Sequence, residues 1–272
     1  MQDLKTFYKS YDDRIREKRF QSPYLVRKYA HYCQYKSVLD QVTPGMRVLD
    51  AGCGDGVLSV MLAQKGAFVV GSDISEPNIE AAKKTAIAEG LNIDFRVADI
   101  ENLPFENNEF DIVVSSHVLE HIPDFDKGLL EIMRVTKSTA VIAIPTVLNG
   151  CSLVQIGGGQ YYLKGPRSFL ALPVGFLLMF GAKLLGREGV DEGYAGNGVV
   201  HIFRFPGVMR NKIKKYGFKL KLQEASTLCL PYFESLLPIS KKLDLLKSKP
   251  VFKNFGYGTT YVIEKSNLPS IK

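Results

Sequence analysis

The sequence is poor in cysteine: Cys33, Cys53, Cys151 and Cys229 are scattered over 272 residues, with no Cys-x-x-Cys pair. That argues against a disulfide framework or a structural zinc site and fits a reducing cytosol, so no metal site is expected. The start, Met1-Gln2-Asp3-Leu4-Lys5, has no apolar run of the kind a secretory signal needs. Internal repeats and low-complexity tracts are absent. The stretch from Phe169 to Ala182 runs 14 residues without a charge, short of the roughly 20 that span a bilayer. Pro173, Gly175 and Gly181 interrupt it. What is present is ordinary for a soluble globular chain: 46% hydrophobic and 23% charged residues, enough for one large domain or a domain with a sizeable insertion.

Charge is unevenly placed. Between Gly45 and Pro145 there are 8 Lys/Arg against 16 Asp/Glu, while the rest of the chain holds 27 against 12. An acidic centre with basic flanks suits an anionic partner of the flanks (a lipid headgroup, a phosphorylated substrate or nucleic acid) or simply a solvated surface.

Residues 1–44 repeat aromatic and apolar residues at three- and four-residue steps, including Tyr8, Tyr11, Tyr29, Tyr32 and Tyr35. This predicts helices whose tyrosines pack, ended by the turn Thr43-Pro44-Gly45. From Met46 to Pro145, short apolar strands at 47–51, 67–72, 93–98, 110–115 and 140–144 alternate with helices. Such alternation predicts an α/β doubly wound, mostly parallel sheet covered on both faces. One of its helices, 76–89, has Ser75 as N-cap, Pro77 in its first turn and Gly90 after its end. The alternation breaks at 146–200, a glycine-rich insertion expected to form a buried lid or a membrane-interfacial segment. Lys164, Arg167, Lys183 and Arg187 frame its apolar stretch. It resumes over 201–272, with a second interruption at 225–254 and a last strand at 258–264.

Three strand ends carry the chemistry. The first strand runs into Asp50-Ala51-Gly52-Cys53-Gly54-Asp55-Gly56, where glycines allow close approach to the backbone and the following helix offers free N–H groups. Val57 stands where a dinucleotide fingerprint needs its third glycine, which counts against a nicotinamide or flavin site. Asp73 ends the second strand, where a carboxylate can hold both hydroxyls of a ribose. Asp99 ends the third, placed to accept from an adenine amino group. Singly, each aspartate could equally be a loop or cap residue.

Taken in order, Val48–Gly56, Gly71-Ser72-Asp73-Ile74-Ser75, Ala98–Phe105 and Phe110–Ile122 resemble the successive motifs of class I S-adenosylmethionine-dependent methyltransferases of the type 11 kind. The resemblance is close over 46–145 and looser over 201–218. It implies a Rossmann-like sheet of seven strands with an antiparallel last strand. It also implies S-adenosylmethionine as cofactor: Gly52 and Gly54 against the methionine part, Asp50 organising the turn and the amino group, Asp73 on the ribose, Ile74 against the adenine, Asp99 and Ile100 at the adenine edge, and Ser116 facing the methionine end.

The reaction implied is an in-line displacement at a sulfonium methyl, for which the protein aligns the partners and excludes water. A base serves a hydroxyl acceptor and is unnecessary for a neutral amine. His117, His121 and His201 are the candidate bases, although each could equally orient a loop. Arg204, Tyr161, Tyr162 and Tyr194 could contact an acidic or aromatic acceptor. The expected acceptor is a small molecule, lipid or glycan precursor. The expected setting is cytoplasmic, peripheral at the inner membrane face, with an anionic membrane surface as partner. A nucleic-acid methyltransferase is the alternative, disfavoured because Ser115-Ser116-His117-Val118 is not an Asn-Pro-Pro-Tyr-like tetrapeptide and no RNA-binding module is recognisable. A non-catalytic cofactor-binding regulator is the third reading.

Overall fold

The sheet strands alternate their side chains between two faces, as period-two geometry demands. In β1 (Arg47–Ala51), Val48 enters one core cluster and Leu49 the other. In the computed structural model, which describes residues 4–11, 20–192 and 200–266, the helices α1 (Leu4–Lys9) and α2 (Leu25–Leu39) come first. Then β1, α3 (Val57–Gln64), β2 (Phe68–Asp73), α4 (Glu76–Ala88), β3 (Asp94–Val97), β4 (Phe110–Ser116), α5 (Phe125–Val135) and β5 (Thr136–Pro145) follow one another. Ser75 caps α4 by accepting from the Asn78 N–H, which is the cap expected from sequence.

The insertion contributes α6 (Gly150–Ile156), α7 (Pro166–Leu184) and β6 (Gly189–Asp191). Its end pairs back on itself, because β6 runs antiparallel to β7 (Ile202–Arg204) in a two-stranded sheet of their own. After α8 (Pro206–Lys215) come β8 (Lys219–Ala225), α9 (Leu237–Leu243) and β9 (Gly258–Glu264), the last strand among the described residues.

The large sheet has seven strands in the order β3-β2-β1-β4-β5-β9-β8. All adjacent pairs up to β5 are parallel, and β9 is antiparallel to both β5 and β8. This is the doubly wound sheet expected, with its antiparallel last strand. One face packs on α5 and α8 through Leu129, Ile132, Met133, Met209 and Ile213. The other packs on α2 and α3 through Tyr35, Val38, Leu58 and Leu62.

The two interruptions are not separate ornaments. Cys151 and Tyr161 from the first join Cys229 and Tyr232 from the second in one buried cluster with Val26 and Ala30 of α2. The Tyr232 N–H donates to the Tyr161 carbonyl at 2.6 Å, and the Tyr232 hydroxyl to the Ser168 carbonyl. Asp244 anchors the second piece, accepting from the Tyr29 hydroxyl at 2.5 Å, the Thr227 hydroxyl at 2.9 Å and the Leu228 N–H at 2.5 Å. α7 departs from the buried-lid expectation, since its outer face is open to solvent.

Candidate active site

Strand order reverses between β1 and β4, which pair with Asp50 opposite Val114. In open α/β sheets the crevice outside the carboxyl ends at such a point is where ligands bind. Two loops leave side by side there: the glycine turn after β1 and the segment Ser116–His121 after β4.

The glycine turn is fixed to β2. The Gly52 and Cys53 N–H groups both donate to the Ser72 carbonyl, at 2.7 and 2.9 Å. The Asp73 carboxylate accepts from the Gly54 N–H with one oxygen and from the Ser75 N–H with the other, each at 2.9 Å. Gly52, Gly54 and Gly56 all have positive φ, +83°, +55° and +79°, a region that favours glycine. At Gly52 there is a second reason: a Cβ would lie 2.2 Å from a Val118 methyl. The missing side chain at Gly52 therefore admits a neighbouring loop, where the sequence suggested room for a ligand.

Asp50 is buried and accepts from the Ser59 hydroxyl of α3 at 2.6 Å. That bond ties the end of β1 to the start of α3 across the turn. Burial, opposed by the Ser59 hydrogen bond and reinforced by the nearby Asp73 charge, pushes the Asp50 carboxyl up to about 7. By linkage, a raised carboxyl costs the folded state nothing below its ordinary range, progressively more as pH rises from there to about 7, and a constant amount above. Asp50→Asn, which keeps an acceptor for Ser59, is expected to raise the thermal midpoint of the ligand-free protein by a few degrees at pH 8. The gain should vanish at pH 4 in parallel melting scans.

Ile74 stands half-exposed just past β2, open for a flat ligand edge. Asp99 accepts from the Glu101 N–H at 2.9 Å and from Lys5 of α1 at 2.6 Å, and Lys5 also reaches Glu101 at 2.7 Å. Ile100 is buried in the core, so its side chain supports the site from behind. The Ser116 hydroxyl oxygen is buried with no hydrogen-bond partner among the described residues.

Beyond Ser116 the structure gathers the three candidate histidines around a buried carboxylate, Glu120. His117 takes a left-handed conformation, φ +59°, uncommon for a residue with a side chain, and its N–H still donates to Ala143 at 2.8 Å. That bend places its Nδ1 3.2 Å from a Glu120 oxygen. His201 arrives from the far end of the insertion because the Ile202 N–H, at the start of β7, donates to the Glu120 carbonyl. Its Nε2 lies 3.9 Å from Glu120, and its Nδ1 2.5 Å from Glu192. The His121 ring stacks 4.6 Å from that of His201, and its Nδ1 contacts the Val200 carbonyl at 2.9 Å.

Glu120 is fully buried, and its oxygens have no hydrogen bond among the described residues. Burial works to raise its carboxyl, but the His117 contact and the charges of His117, His121 and His201 win and hold it at about 2. Glu120, His121 and His201 bring one ligand atom each within 4.8 Å of one another, and this nitrogen and oxygen donor set suits a divalent ion. The expectation of no metal from cysteine spacing overlooked these groups.

The cluster forms one wall of a cavity of about 200 Å³. Arg27, His31 and Gln34 of α2 supply a second wall, and Gln155, Gln160, Tyr161 and Tyr162 of the insertion a third. An apolar cavity of about 150 Å³ can hold benzene, so this one admits a group about the size of a substituted ring. Tyr161 is buried, which drives its phenol well above its ordinary range and keeps it neutral. Arg204 is not in the wall: its guanidinium lies 4.0 Å above the Phe125 ring. Tyr194 lies outside the described residues.

Comparison with known proteins bears on residues at this same crevice. Residues 49–144 match a family model described as a methyltransferase domain. That stretch is similar to methyltransferase domains and holds the first five strands of the sheet, apart from the start of the first and the last residue of the fifth. Over 124 residues it is 38% identical to the ubiquinone biosynthesis O-methyltransferase of Hahella chejuensis, a match covering 44% of this chain and 52% of that protein. The chain thus spans about half the length of that relative. Solved methyltransferases share the fold at low identity. The magnesium protoporphyrin IX methyltransferase of Synechocystis PCC 6803 with bound S-adenosylmethionine superposes with a TM-score of 0.59, 18% identity and coverage of 98% and 99% of the two chains. An S-adenosylmethionine-dependent methyltransferase from Mesorhizobium loti gives 0.58 at 17% identity, covering 87% and 98%. In the matched stretch, the glycine turn, Asp73 and Asp99 occupy the successive strand ends that the resemblance assigns to the cofactor. The histidine cluster and cavity lie beside them.

Glu120 is the candidate site residue that sequence reading missed. Its signal was present in the spacing, since His117 and Glu120 are three apart and fold into one tight turn. Lys5 gave no comparable signal.

Proposed function

We propose that this protein transfers the methyl group of S-adenosylmethionine to a hydroxyl oxygen of a small-molecule acceptor. The observation that carries this reading is the buried His117–Glu120 pair in the cavity wall next to the glycine turn. S-adenosylmethionine, when bound, supplies a sulfonium methyl open to in-line attack.

The residues present fit that cofactor. Asp73 is held by two backbone N–H groups with its carboxylate at the crevice rim, suited to the ribose hydroxyls. Asp99, with Ile74 nearby, suits the adenine, and the unpartnered Ser116 hydroxyl lies toward the methionine end. His117, with Nδ1 against Glu120 and Nε2 lacking a hydrogen-bond partner among the described residues, would take the hydroxyl proton as the oxygen attacks. Glu120 would steady the resulting imidazolium, as a buried carboxylate beside a histidine does. The cavity walls would hold the acceptor in line and keep water out. The name of the Hahella relative, an O-methyltransferase, supports an oxygen acceptor. Peripheral location on the cytoplasmic side of a membrane is part of this proposal.

Radiolabelled S-adenosylmethionine, incubated with the protein and a cell extract later split into lipid, polysaccharide, nucleic-acid and small-molecule pools, tests it. Label is expected in the small-molecule or lipid pool as an alkali-stable methyl ether. Label confined to nucleic acid, or no transfer despite tight cofactor binding, would overturn it.

A further inference from the structure

Helix α7 is turned inside out relative to a helix of a soluble core. Its buried residues are the small ones, Ser168, Ala171, Gly175 and Ala182. A Cβ on Gly175 would lie 1.8 Å from the Leu153 carbonyl oxygen, and one on Gly157 1.9 Å from that of Ala171, so α6 and α7 meet backbone to backbone. The large side chains point the other way. Leu170, Leu177 and Leu184 recur every seven residues and are 66%, 68% and 72% exposed, with Phe176 and Phe180 about half exposed between them. An amphipathic surface helix buries that stripe, and a contiguous apolar patch left outside marks an interaction surface.

The second insertion prolongs the patch. The Phe169 ring lies 6.4 Å from that of Phe233, which is itself 39% exposed. The rim has one sign. From Lys164 to Arg187 there is no acidic residue, and Lys164, Arg167, Lys183 and Arg187 are all exposed. Two copies of this face would bring like charges together, whereas acyl chains beneath anionic headgroups complement both its apolar centre and its basic rim. The geometry points to an anionic lipid bilayer as the occupant: α7 lies flat in the interface, its leucines and phenylalanines in the acyl boundary and its four basic residues at headgroup level. A span is incompatible with an inner face locked to α6.

The chain contains no tryptophan, so Leu177→Trp in the full-length protein installs a single reporter at an exposed position. With phosphatidylglycerol–phosphatidylcholine vesicles at low salt, its emission is expected to shift to the blue and the protein to cosediment. Phosphatidylcholine vesicles alone, or high salt, should reduce the bound fraction about tenfold by removing the headgroup attraction. In the otherwise native sequence, Leu170→Glu, Leu177→Glu and Phe180→Glu combined should abolish binding. Circular dichroism and cofactor affinity should be unchanged, which separates failure of docking from failure of methyl transfer. No association with anionic vesicles, undiminished binding by the triple variant, or a blue shift that follows protein concentration without vesicles and so reports self-association, would each overturn the proposal.

Discussion

Asp73→Ala is expected to weaken S-adenosylmethionine binding by about a hundredfold or more in a calorimetric titration. Hydrogen bonds to a charged group contribute about 1.5–3 kcal/mol each, and two are removed together; about 2.8 kcal/mol already corresponds to a hundredfold. The same carboxylate holds the Gly54 and Ser75 N–H groups, so its loss also loosens the turn that faces the methionine end. Asp73→Asn retains one acceptor and should fall between. A melting scan of each variant controls for unfolding, and equal affinity of wild type and Asp73→Ala would sink the assignment.

The second large effect concerns the reaction step. His117→Ala is expected to lower kcat by about 10²–10⁴, the range for loss of a positioned base, while the cofactor dissociation constant stays within a factor of about two. Under the proposed function Glu120 is a positioning residue, and its signature is a split between kinetic constants: Glu120→Gln should lower kcat with little change in KM, while loss of the buried anion also lowers the melting midpoint near neutral pH. Because Glu120 titrates near 2, it is an anion throughout any practical assay. Its contribution to stability is present above its ordinary carboxyl range and lost progressively as pH falls from there to about 2. If Glu120→Gln turns over at the wild-type rate, the His117–Glu120 pair has no part in the reaction.

How much of this could be read from residues alone divides along sequence distance. The strand ends at Asp50, Asp73 and Asp99 were legible because each lies a few residues from its own strand, and short apolar runs mark parallel strands clearly. The Ser75 cap was legible for the same reason. The reason for glycine at position 52 was not, because it depends on Val118 in another loop. Nor was the meeting of Lys5 with Asp99, 94 residues apart, or the fusion of the two insertions through Cys151 and Cys229. His201 was a candidate by residue type only; the β6–β7 pairing brings it to Glu120, and strands that short leave a faint pattern. The choice between a buried and an exposed α7 stayed open for a further reason. Apolar residues read alike whether they face a core or the outside, and only the small residues on its inner face tell which way it turns.

The contact between Gly52 and Val118 has a consequence for timing. The two loops at the crevice mesh like teeth: one lacks a side chain where the other inserts one. Val118 is the next residue after His117, so a shift of the turn that would grip the cofactor would press on the residue beside the proposed base. Under the proposed roles, loading the donor and setting the proton acceptor would be one mechanical event. The reaction chamber would be primed only while it is charged.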